Sequence, residues 1–358
     1  MAKILMKGNE ALAEACLRAG CRFFSGYPIT PQTEILEYLC WRMDEVGGTC
    51  VQTESELAGV NMLLGAASAG ARALTTTSGP GFSLKQEGIS YLCGSDVPAV
   101  IVDVQRIGSA LGDIFMGQGD YWQLTRGGGH GDYRTLVLAP NSVQESVDLA
   151  GEAFDLAEKY RHPVIIATDA TIGQMIEPVE LPEMHEHDMD QYDWAIRPRR
   201  EGEPQRAIWN RYWDWDWKDT SVGGHMYPKY LLDKYGRMEE TEQRWEEVET
   251  EDAEIIMVAY GTSARVAKSA VARARKEGIK AGLIRPITLW PYPKKAFDKL
   301  GSQVKAILDV ERNILGQMKD DIVLATGNRL PVEFYGEYWD NMNEIKMVDI
   351  ARDMLTRY

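Results

Sequence analysis

The stretch Gly26-Tyr27-Pro28-Ile29-Thr30-Pro31 determines how the first part of the chain folds. An apolar run at residues 21–24 precedes it and predicts a buried strand, whereas the amphipathic pattern at residues 32–46 predicts a helix. Each proline fixes its own φ at about −65° and keeps the preceding residue out of the α region. Thr30 is therefore predicted to be extended at a strand-to-helix junction, with Pro31 at the first helical position. Such junctions bind ligands in α/β proteins, although a proline-rich turn without chemistry also fits the spacing.

Strand and helix patterns alternate over residues 1–180. Strands are predicted at residues 21–24, 49–53, 73–77, 99–104, 135–139 and 163–168, and helices at residues 9–20, 32–46, 57–69 and 142–160. The helix at 57–69 is rich in Ala and Gly and is predicted to be packed deep inside, and Ser142 is a candidate cap for the last helix. Nearly continuous apolar strands separated by helices predict a doubly wound, parallel α/β sheet.

The pattern changes after residue 180, so we divide the chain into residues 1–180, 181–252 and 253–358. The middle part is acidic and includes a Trp-rich stretch from Trp209 to Trp217, which is predicted to form an interdomain arm packed on a partner or on the chain's own domains. A charged helix is predicted at residues 227–249. The last part is predicted to be a second, smaller α/β unit with strands at 255–260, 281–284 and 306–310 and helices at 264–276, 316–325 and 343–358.

Composition narrows the classes of function. The chain has 358 residues and a formal net charge of −15, which makes nucleic acid an improbable partner because phosphate binding requires clustered Lys and Arg. The N-terminus lacks the apolar region of a signal peptide, and no apolar run reaches the roughly 20 residues that cross a bilayer. We therefore expect a cytoplasmic protein with no membrane partner.

The five cysteines are predicted to be reduced and mostly buried. They form no Cys-x-x-Cys pair and do not cluster with histidine, so a zinc site or an iron–sulfur cluster held by this chain alone is not expected. No metal-ligating residue is therefore assigned. The residues concerned are Cys16, Cys21, Cys40, Cys50 and Cys93.

Three further stretches stand at predicted strand ends of the first unit. Glu54 and Glu56 open the Ala- and Gly-rich helix, where a carboxylate is costly to bury unless something uses it, although helix N-termini also favour Glu in general. Residues 75–81 supply hydroxyls and a tight backbone, but they lack the lysine of a phosphate-binding loop. Arg106 follows an apolar strand and could bind a carboxylate through two hydrogen bonds or form a surface ion pair.

Four motifs together resemble the alpha subunit of the 2-oxoacid:ferredoxin oxidoreductases. The resemblance is greatest to the branched-chain (3-methyl-2-oxobutanoate) type, with the 2-oxoglutarate type second, and it covers nearly the whole chain. In the second unit, Asp309-Val-Glu-Arg-Asn-Ile-Leu-Gly-Gln-Met318 resembles the family's transketolase-C-like unit more loosely. The four motifs are the stretch at residues 26–31, Gln52-Thr-Glu-Ser-Glu56, Thr77-Ser-Gly-Pro-Gly81 with Gln86-Glu-Gly-Ile-Ser-Tyr91, and Gly127-Gly-Gly-His-Gly-Asp-Tyr-Arg134.

The resemblance implies a pyrimidine-type thiamine diphosphate domain followed by a smaller transketolase-C-like domain. It also implies an enzyme that oxidatively decarboxylates a 2-oxoacid with coenzyme A to acyl-CoA, carbon dioxide and reduced ferredoxin. By position, Thr30 matches the threonine near the reactive thiazolium carbon, Glu56 the glutamate at the aminopyrimidine, and Arg106 the arginine facing the substrate carboxylate. The cofactor-binding residues that it implies are Tyr27, Pro28, Ile29, Glu56, Ser78 and Gly79.

What the sequence lacks predicts the partners. It contains no Gly-Asp-Gly followed by Asn, the arrangement that holds Mg²⁺ and diphosphate in thiamine enzymes, and no cluster ligand set. We therefore expect the cofactor to be shared with a beta subunit that carries the Mg²⁺ and diphosphate motif. We expect [4Fe-4S] clusters to be held by partner subunits, with gamma and ferredoxin-like delta chains, and ferredoxin, coenzyme A and a 2-oxoacid as the remaining partners.

The substrate and the rival functions stay open at this point. Ile107 and Gly108 stand where the family often has two glycines, so the side-chain specificity is undecided. A non-catalytic scaffold subunit with the same fold is one rival, but it would have no need of Thr30, Glu56 and Arg106 together. Half of a thiamine transferase or decarboxylase without redox partners is the other, and iron–sulfur clusters in the co-purifying chains would exclude it.

Overall fold

The computed structural model describes residues 3–198, 201–202, 206–208, 210–211 and 223–358. The chain is an α/β protein with two main sheets whose strands are mostly parallel. Of the Trp-rich stretch 209–217, only Asn210 and Arg211 are among the described residues, so the burial predicted for its indoles stays a prediction. Within the described parts of the chain, no helix has the length and apolar character needed to span a bilayer.

The strands and helices have the following bounds. The strands are β1 (Ile4–Lys7), β2 (Phe23–Gly26), β3 (Thr49–Gln52), β4 (Ala73–Thr77), β5 (Ala99–Gln105), β6 (Leu136–Leu138), β7 (Pro163–Asp169), β8 (Ile176–Val179), β9 (Trp245–Val248), β10 (Ile255–Val258), β11 (Ala281–Pro286), β12 (Thr288–Trp290), β13 (Ala306–Glu311) and β14 (Val332–Gly336). The helices are α1 (Gly8–Arg18), α2 (Thr33–Arg42), α3 (Glu56–Ser68), α4 (Pro80–Gly94), α5 (Tyr121–Arg126), α6 (Val143–Tyr160), α7 (Ala170–Gln174), α8 (Tyr227–Thr241), α9 (Gly261–Lys276), α10 (Lys294–Asp298), α11 (Lys319–Ala325) and α12 (Glu344–Arg357).

The first sheet has the strand order β12-β6-β7-β5-β4-β2-β3. All of its neighbouring strands are parallel except β12, which pairs antiparallel with β6 at the edge. Every residue of the central strands β5 and β7 is buried, as expected for strands covered on both faces. Because β2, β3, β4 and β5 are parallel, their carboxyl ends meet at one edge of the sheet, and the candidate residues follow these ends.

The second sheet has the order β14-β13-β10-β11-β9, with β9 antiparallel at its edge. The predicted charged helix at 227–249 is wrong in its last part, because α8 ends at Thr241 and residues 245–248 form β9. An edge strand has one unpaired side and tolerates its two glutamates. The boundary at residue 252 therefore cuts the second sheet, and β12 from the last part completes the first sheet.

Two helix predictions need correction. Residue 31 does not start a helix, because α2 begins at Thr33 and Gln32 occupies the cap position. The helix at 57–69 is not packed deep inside on all sides: α3 buries Val60 and Leu63 but exposes other apolar residues. By contrast, Ser142 caps α6 as predicted, its hydroxyl accepting a hydrogen bond from the Glu145 amide at 3.1 Å.

The cysteines differ from the prediction at one pair. Cys40 and Cys50 are joined in a disulfide, which corrects the expectation that every thiol is reduced. The end of α2 lies beside β3, which brings the two Cα atoms to 5.1 Å, within the usual disulfide range. The prediction of free, buried thiols is confirmed for Cys16, Cys21 and Cys93.

Candidate functional site

The loop at residues 26–31 is fixed from beneath by buried amide side chains. Gln32 is fully buried, and its Nε2 donates to the Tyr27 carbonyl at 2.9 Å while its Oε1 accepts from the Thr76 hydroxyl at 2.5 Å. Asn9 at the start of α1 donates to the Pro31 carbonyl at 2.7 Å. These bonds tie the loop to β4 and α1, so that Thr30 stands exposed at its tip.

Glu56 is the first residue of α3 and is only 4% exposed. The hydroxyl of Ser55 caps this helix by accepting from the Ala58 amide. A Cβ at Gly81 would lie 2.4 Å from Oε1 of Glu56 and 2.2 Å from Oγ1 of Thr77, so only glycine lets the glutamate carboxylate reach this position. The loop Thr77-Ser-Gly-Pro-Gly81 therefore packs directly against the Glu56 carboxylate.

Two hydroxyls in the same loop are free to serve a ligand. Thr77 Oγ1 and Ser78 Oγ are buried and make no hydrogen bond to any residue that the structure describes. Buried hydroxyls of this kind are rare in folded proteins, because an unpaired polar group costs free energy. Together with Glu56 they form a small polar cradle at the end of β4, which could accept and donate hydrogen bonds to an aromatic heterocycle.

Arg106 follows β5 and is 6% exposed. Its Nη1 donates to the main-chain carbonyl of Thr30 and its Nη2 to that of Leu111, both at 2.7 Å, while its Nε has no partner among the described residues. Gly79 has a φ of 48°, and a Cβ there would lie 3.4 Å from Cγ of Arg106. The guanidinium therefore touches two of the predicted site loops and keeps N–H groups available for an anion.

Arg106 borders a cavity of about 640 Å³ between the two sheets' domains. One wall comes from the first domain, including Ile107 and Asp120, and the other from the second, including Arg312, Leu315 and Tyr338. A space of this size holds a small substrate with room for part of a second one. The wall from the second domain was not assigned from the sequence, since a contact between residues about two hundred positions apart leaves no local pattern.

A pair of buried acids behind Arg106 was also missed. Asp103 lies on β5 and contacts Asp120, which accepts hydrogen bonds from the Gln123 side chain at 2.6 Å and from the Arg106 amide. Burial raises the pKa of Asp120 to about 6, and burial together with the Asp120 carboxylate raises the pKa of Asp103 well above its usual range. A carboxylate inside the otherwise apolar strand β5 was the signal that could have found them.

The structure brings the predicted residues to one edge of the first sheet. Arg106 touches Thr30 and Gly79, and Glu56 touches the same 77–81 loop at Gly81. The fourth motif is held by Tyr133, whose hydroxyl accepts from two glycine amides and donates to Gln86 of the third motif. Among the residues with described positions, no three His, Cys, Asp or Glu side chains are grouped to hold a metal ion.

Two protein-family models match the chain. Residues 14–252 match the family described as pyruvate flavodoxin/ferredoxin oxidoreductase, thiamine diphosphate-binding. Residues 253–348 match the pyruvate:ferredoxin oxidoreductase core domain II. The two matches together cover most of the chain, and the first includes every predicted site residue.

Curated relatives align over nearly their full length. The chain is 48% identical over 348 residues to the ketoisovalerate oxidoreductase subunit VorB of Methanothermobacter thermautotrophicus, which is 97% of this chain and 96% of the relative. It is 38% identical over 330 residues to the 2-oxoglutarate synthase subunit KorA of Methanocaldococcus jannaschii, covering 87% of this chain and 89% of that one.

Solved structures show the same fold. A 2-oxoglutarate:ferredoxin oxidoreductase from Magnetococcus marinus, with 2-oxoglutarate, coenzyme A and succinyl-CoA bound, superimposes with a TM-score of 0.87 at 25% identity over 99% of this chain. The chain spans 65% of that solved chain. A split-gene transketolase in an inactive beta4 tetramer matches with a TM-score of 0.60 at 11% identity, which shows the fold alone.

Proposed function

The chain belongs to the thiamine-diphosphate-binding pyruvate flavodoxin/ferredoxin oxidoreductase family and is a subunit of a 2-oxoacid:ferredoxin oxidoreductase, and from this premise we propose its substrate and the roles of its residues. The assembled enzyme oxidises 3-methyl-2-oxobutanoate with coenzyme A to the acyl-CoA, carbon dioxide and reduced ferredoxin. The observation that carries the proposal is the Glu56 carboxylate, fitted against Gly81 beside two free hydroxyls.

The branched-chain substrate is supported by the relatives and by the cavity. The identity is 48% to a relative named for ketoisovalerate and 38% to one named for 2-oxoglutarate. Ile107 and Leu315 supply apolar surface beside Arg106, which suits an isopropyl side chain. Arg312 supports 2-oxoglutarate as the second candidate, because its guanidinium lines the same cavity and could pair with a second carboxylate.

The residues present fit the pyrimidine side of thiamine diphosphate. Glu56 accepts a hydrogen bond from the aminopyrimidine ring, and the hydroxyl of Ser78 and the backbone of Gly79 border the same ring. Tyr27, which is exposed, and the half-buried Pro28 and Ile29 of the first loop would also contact the cofactor. Thiamine diphosphate, when bound, would supply a nucleophilic ring carbon and an electron sink for the decarboxylation.

The protein's own residues bind and orient the 2-oxoacid. Arg106 uses its remaining N–H groups to hold the substrate carboxylate, and this positive charge offsets the carboxylate charge until carbon dioxide leaves. Thr30 presents its hydroxyl toward the keto oxygen, from a loop fixed by the bond between its own carbonyl and Arg106. Glu56 holds a proton at the ring nitrogen, which is a general acid–base role.

The remaining subunits complete the site. A beta subunit supplies the Mg²⁺ and diphosphate motif that this sequence lacks, and gamma and ferredoxin-like delta subunits supply the [4Fe-4S] clusters. The exposed apolar side chains on α3, beside Glu56, support a partner at this face. The cytoplasmic location stays a prediction.

Glu56→Gln tests the proposed function in the enzyme assembled with its partners. We expect activity to fall by about 100- to 10,000-fold while the complex stays assembled, because an amide cannot hold the ring proton in the same way. A second measurement decides the substrate. The rates of the assembled parent enzyme with 3-methyl-2-oxobutanoate and with 2-oxoglutarate are compared, using a low-potential electron acceptor. Turnover close to the parent value would move the role to another residue, with Glu54 as the first alternative, and a higher kcat/KM for 2-oxoglutarate would replace the proposed substrate.

A further inference from the structure

Lys85 is fully buried on α4, directly beneath Glu56. Its Nζ donates to the Thr75 hydroxyl at 2.9 Å and to the main-chain carbonyl of Glu56 at 3.3 Å. Lysine is almost never fully buried unless its charge is paired, because removing an ammonium from water is costly. A buried lysine at this position therefore calls for a reason beyond packing.

The ammonium of Lys85 lies where three site-forming elements meet. The Thr75 hydroxyl that accepts from Lys85 donates in turn to the Ser25 carbonyl at 2.5 Å, and the Ser25 hydroxyl donates to the Gly59 carbonyl at 2.7 Å. These bonds join β2, β4 and the first turns of α3. The loops that carry Thr30 and Ser78 follow β2 and β4, and α3 carries Glu56, so a shift of Lys85 reaches all three.

Gly59 on α3 leaves space for the Lys85 side chain, although glycine is an unfavourable residue inside a helix. Gly59 lies on the buried side of α3, and a Cβ there would be 3.3 Å from Nζ of Lys85. Glycine inside a helix is less favourable than alanine by roughly 1 kcal/mol. A larger residue at position 59 would press on the ammonium, so the glycine keeps the lysine in place.

The charged group near the Lys85 ammonium is Glu56. Burial lowers the pKa of Lys85 to about 8, and the Glu56 carboxylate raises it. The groups that face its ammonium are Ser25 on β2, Thr75 on β4 and Glu56 on α3, and of these described neighbours only Glu56 can carry a charge. The attraction of the Glu56 carboxylate therefore offsets part of the cost of burying the Lys85 ammonium.

We propose that Lys85 is a positioning residue for Glu56, holding the first turn of α3 and supplying a counter-charge to the glutamate carboxylate. The inference rests on the role proposed for Glu56. Lys85 itself touches neither substrate nor cofactor, so its effect on the reaction passes through Glu56.

The pairing is tested first in the full chain without cofactor, by thermal unfolding of Lys85→Met, Glu56→Gln, the double variant and the parent. In the Glu56→Gln background Lys85 is a buried cation without its counter-charge, and methionine removes that cost. We expect Lys85→Met to change the melting temperature more favourably in this background than in the parent, by about 2 °C or more. An equal effect in both backgrounds would show that the two side chains are not coupled and would overturn the proposal.

The consequence for the site is tested in the holoenzyme. We expect Lys85→Met to lower kcat about tenfold or more and to raise the Kd of thiamine diphosphate, measured by calorimetry, about tenfold, with the KM for the 2-oxoacid changed by less than about twofold. Ile89→Met is the matched control, because Ile89 is buried on the same helix and uncharged. It should change each constant by less than about threefold.

The outcomes separate this inference from the proposed function. Lys85→Met with the kcat and Kd of the Ile89→Met control would overturn the inference while leaving the role of Glu56 intact. If Glu56→Gln keeps the parent turnover, the proposed role of Glu56 fails, and the thermal cycle alone decides whether Lys85 is paired with it. If Lys85→Met lowers kcat and raises the KM by similar factors, the substitution damages the fold in general. That outcome would also contradict a positioning role.

Discussion

Arg106 is held by two main-chain carbonyls, and this affects what a substitution there can reveal. We expect Arg106→Lys to raise the KM for the 2-oxoacid by one to two orders of magnitude, about 1.4–2.8 kcal/mol of lost interaction. Lysine keeps the charge but has no planar fork, so it cannot bond Thr30 and Leu111 and a carboxylate at once. Steady-state kinetics of the assembled enzyme, with thiamine diphosphate affinity measured alongside, provide the check.

The control for Arg106→Lys is Thr30→Val, which removes the hydroxyl but keeps the carbonyl that Arg106 binds. It should lower kcat more than it raises KM, because the hydroxyl acts mainly on the transition state. Thiamine diphosphate affinity should hardly change in either variant. A parent-like KM in Arg106→Lys would mean that another residue, of this chain or of the partner chain, holds the substrate carboxylate.

Asp120 gives a prediction about pH. Its folded pKa of about 6 lies above the unfolded value of 3.8, so the folded state holds more protons than the unfolded state between these values and the parent loses stability as pH rises through this range. Asp120→Asn cannot lose a proton. Its stability relative to the parent should therefore increase from pH 4.5 to pH 7, by about 2 kcal/mol in urea unfolding. If the difference in unfolding free energy between Asp120→Asn and the parent stays constant from pH 4.5 to pH 7, the raised pKa of Asp120 is contradicted.

Asp132→Asn serves as the control for Asp120→Asn. Asp132 is exposed on the neighbouring loop, and its substitution should leave the stability difference unchanged with pH. Both variants remove one negative charge, so an effect of overall charge would appear in both. Only the buried position produces the expected difference.

At the level of single residues, sequence reasoning reached those that stand at strand ends and missed those that become important through distant contacts. Thr30, Glu56 and Arg106 could be named because each follows a recognisable strand, and the structure brings them to one edge; their roles stay predictions. Arg312 and Lys85 could not be named. A guanidinium two hundred residues away, or a lysine in an ordinary helical pattern, becomes informative only once its surroundings are known.

The helices α3 and α4 present an apolar surface beside the site. Leu57 and Met62 on α3 are 45% and 43% exposed, and Leu84 and Tyr91 on α4 are 54% and 49% exposed. Contiguous exposed apolar patches of this kind mark interfaces. Because Glu56 begins α3, this surface is where we expect the beta subunit to bind.

Met62→Glu together with Leu84→Glu tests this surface. We expect the melting temperature of the full chain to change by less than about 2 °C, because both side chains are exposed, while association with the partner subunits weakens by at least about tenfold. Copurification and analytical ultracentrifugation measure the second effect. Leu324→Glu on α11, where Leu324 is 68% exposed, is the control and should assemble normally. Full assembly of the double variant would move the interface elsewhere.

At the level of elements, strands β2 to β7 of the first sheet were predicted to within two residues, whereas the edge strands β9 and β12 were not. Continuous apolar runs specify β4, β5 and β7 because both faces of these strands are buried. The short strands β9 and β12 are set by their partners, β11 and β6, rather than by their own composition. A charged four-residue segment such as β9 has no local pattern that separates it from a helix.

Gln118 makes several of the buried hydrogen bonds that join the two domains. Gln118 donates from Nε2 to the Tyr260 carbonyl at 2.9 Å, and its Oε1 accepts from the Ser263 hydroxyl at 2.6 Å and from the Arg312 amide at 2.9 Å. The loop that contains Gln118 continues to Asp120 at the cavity. The second domain therefore determines where this loop lies, and it shapes the substrate side of the site from a distance.

Gln118→Leu measures how much this junction contributes. The variant leaves three buried polar groups without partners, each costing about 1–3 kcal/mol, so we expect the free energy of unfolding to fall by about 3 kcal/mol or more. The KM for the 2-oxoacid should rise as well, since the loop is no longer fixed. Gln303→Leu, whose amide donates to the Glu251 carbonyl near the surface, should cost less than about 1 kcal/mol. Equal losses in both variants would contradict a special role for Gln118.

The first sheet cannot be completed during synthesis until its edge strand β12 has been translated. This strand pairs with β6 but follows it in the chain by roughly 150 residues, which the ribosome adds in about 8–30 seconds. Throughout that interval the nascent chain carries β6 with one side unpaired, and an open strand edge pairs readily with another copy. Translation speed between residues 139 and 290 therefore sets how long neighbouring nascent chains on one messenger RNA are exposed to this risk.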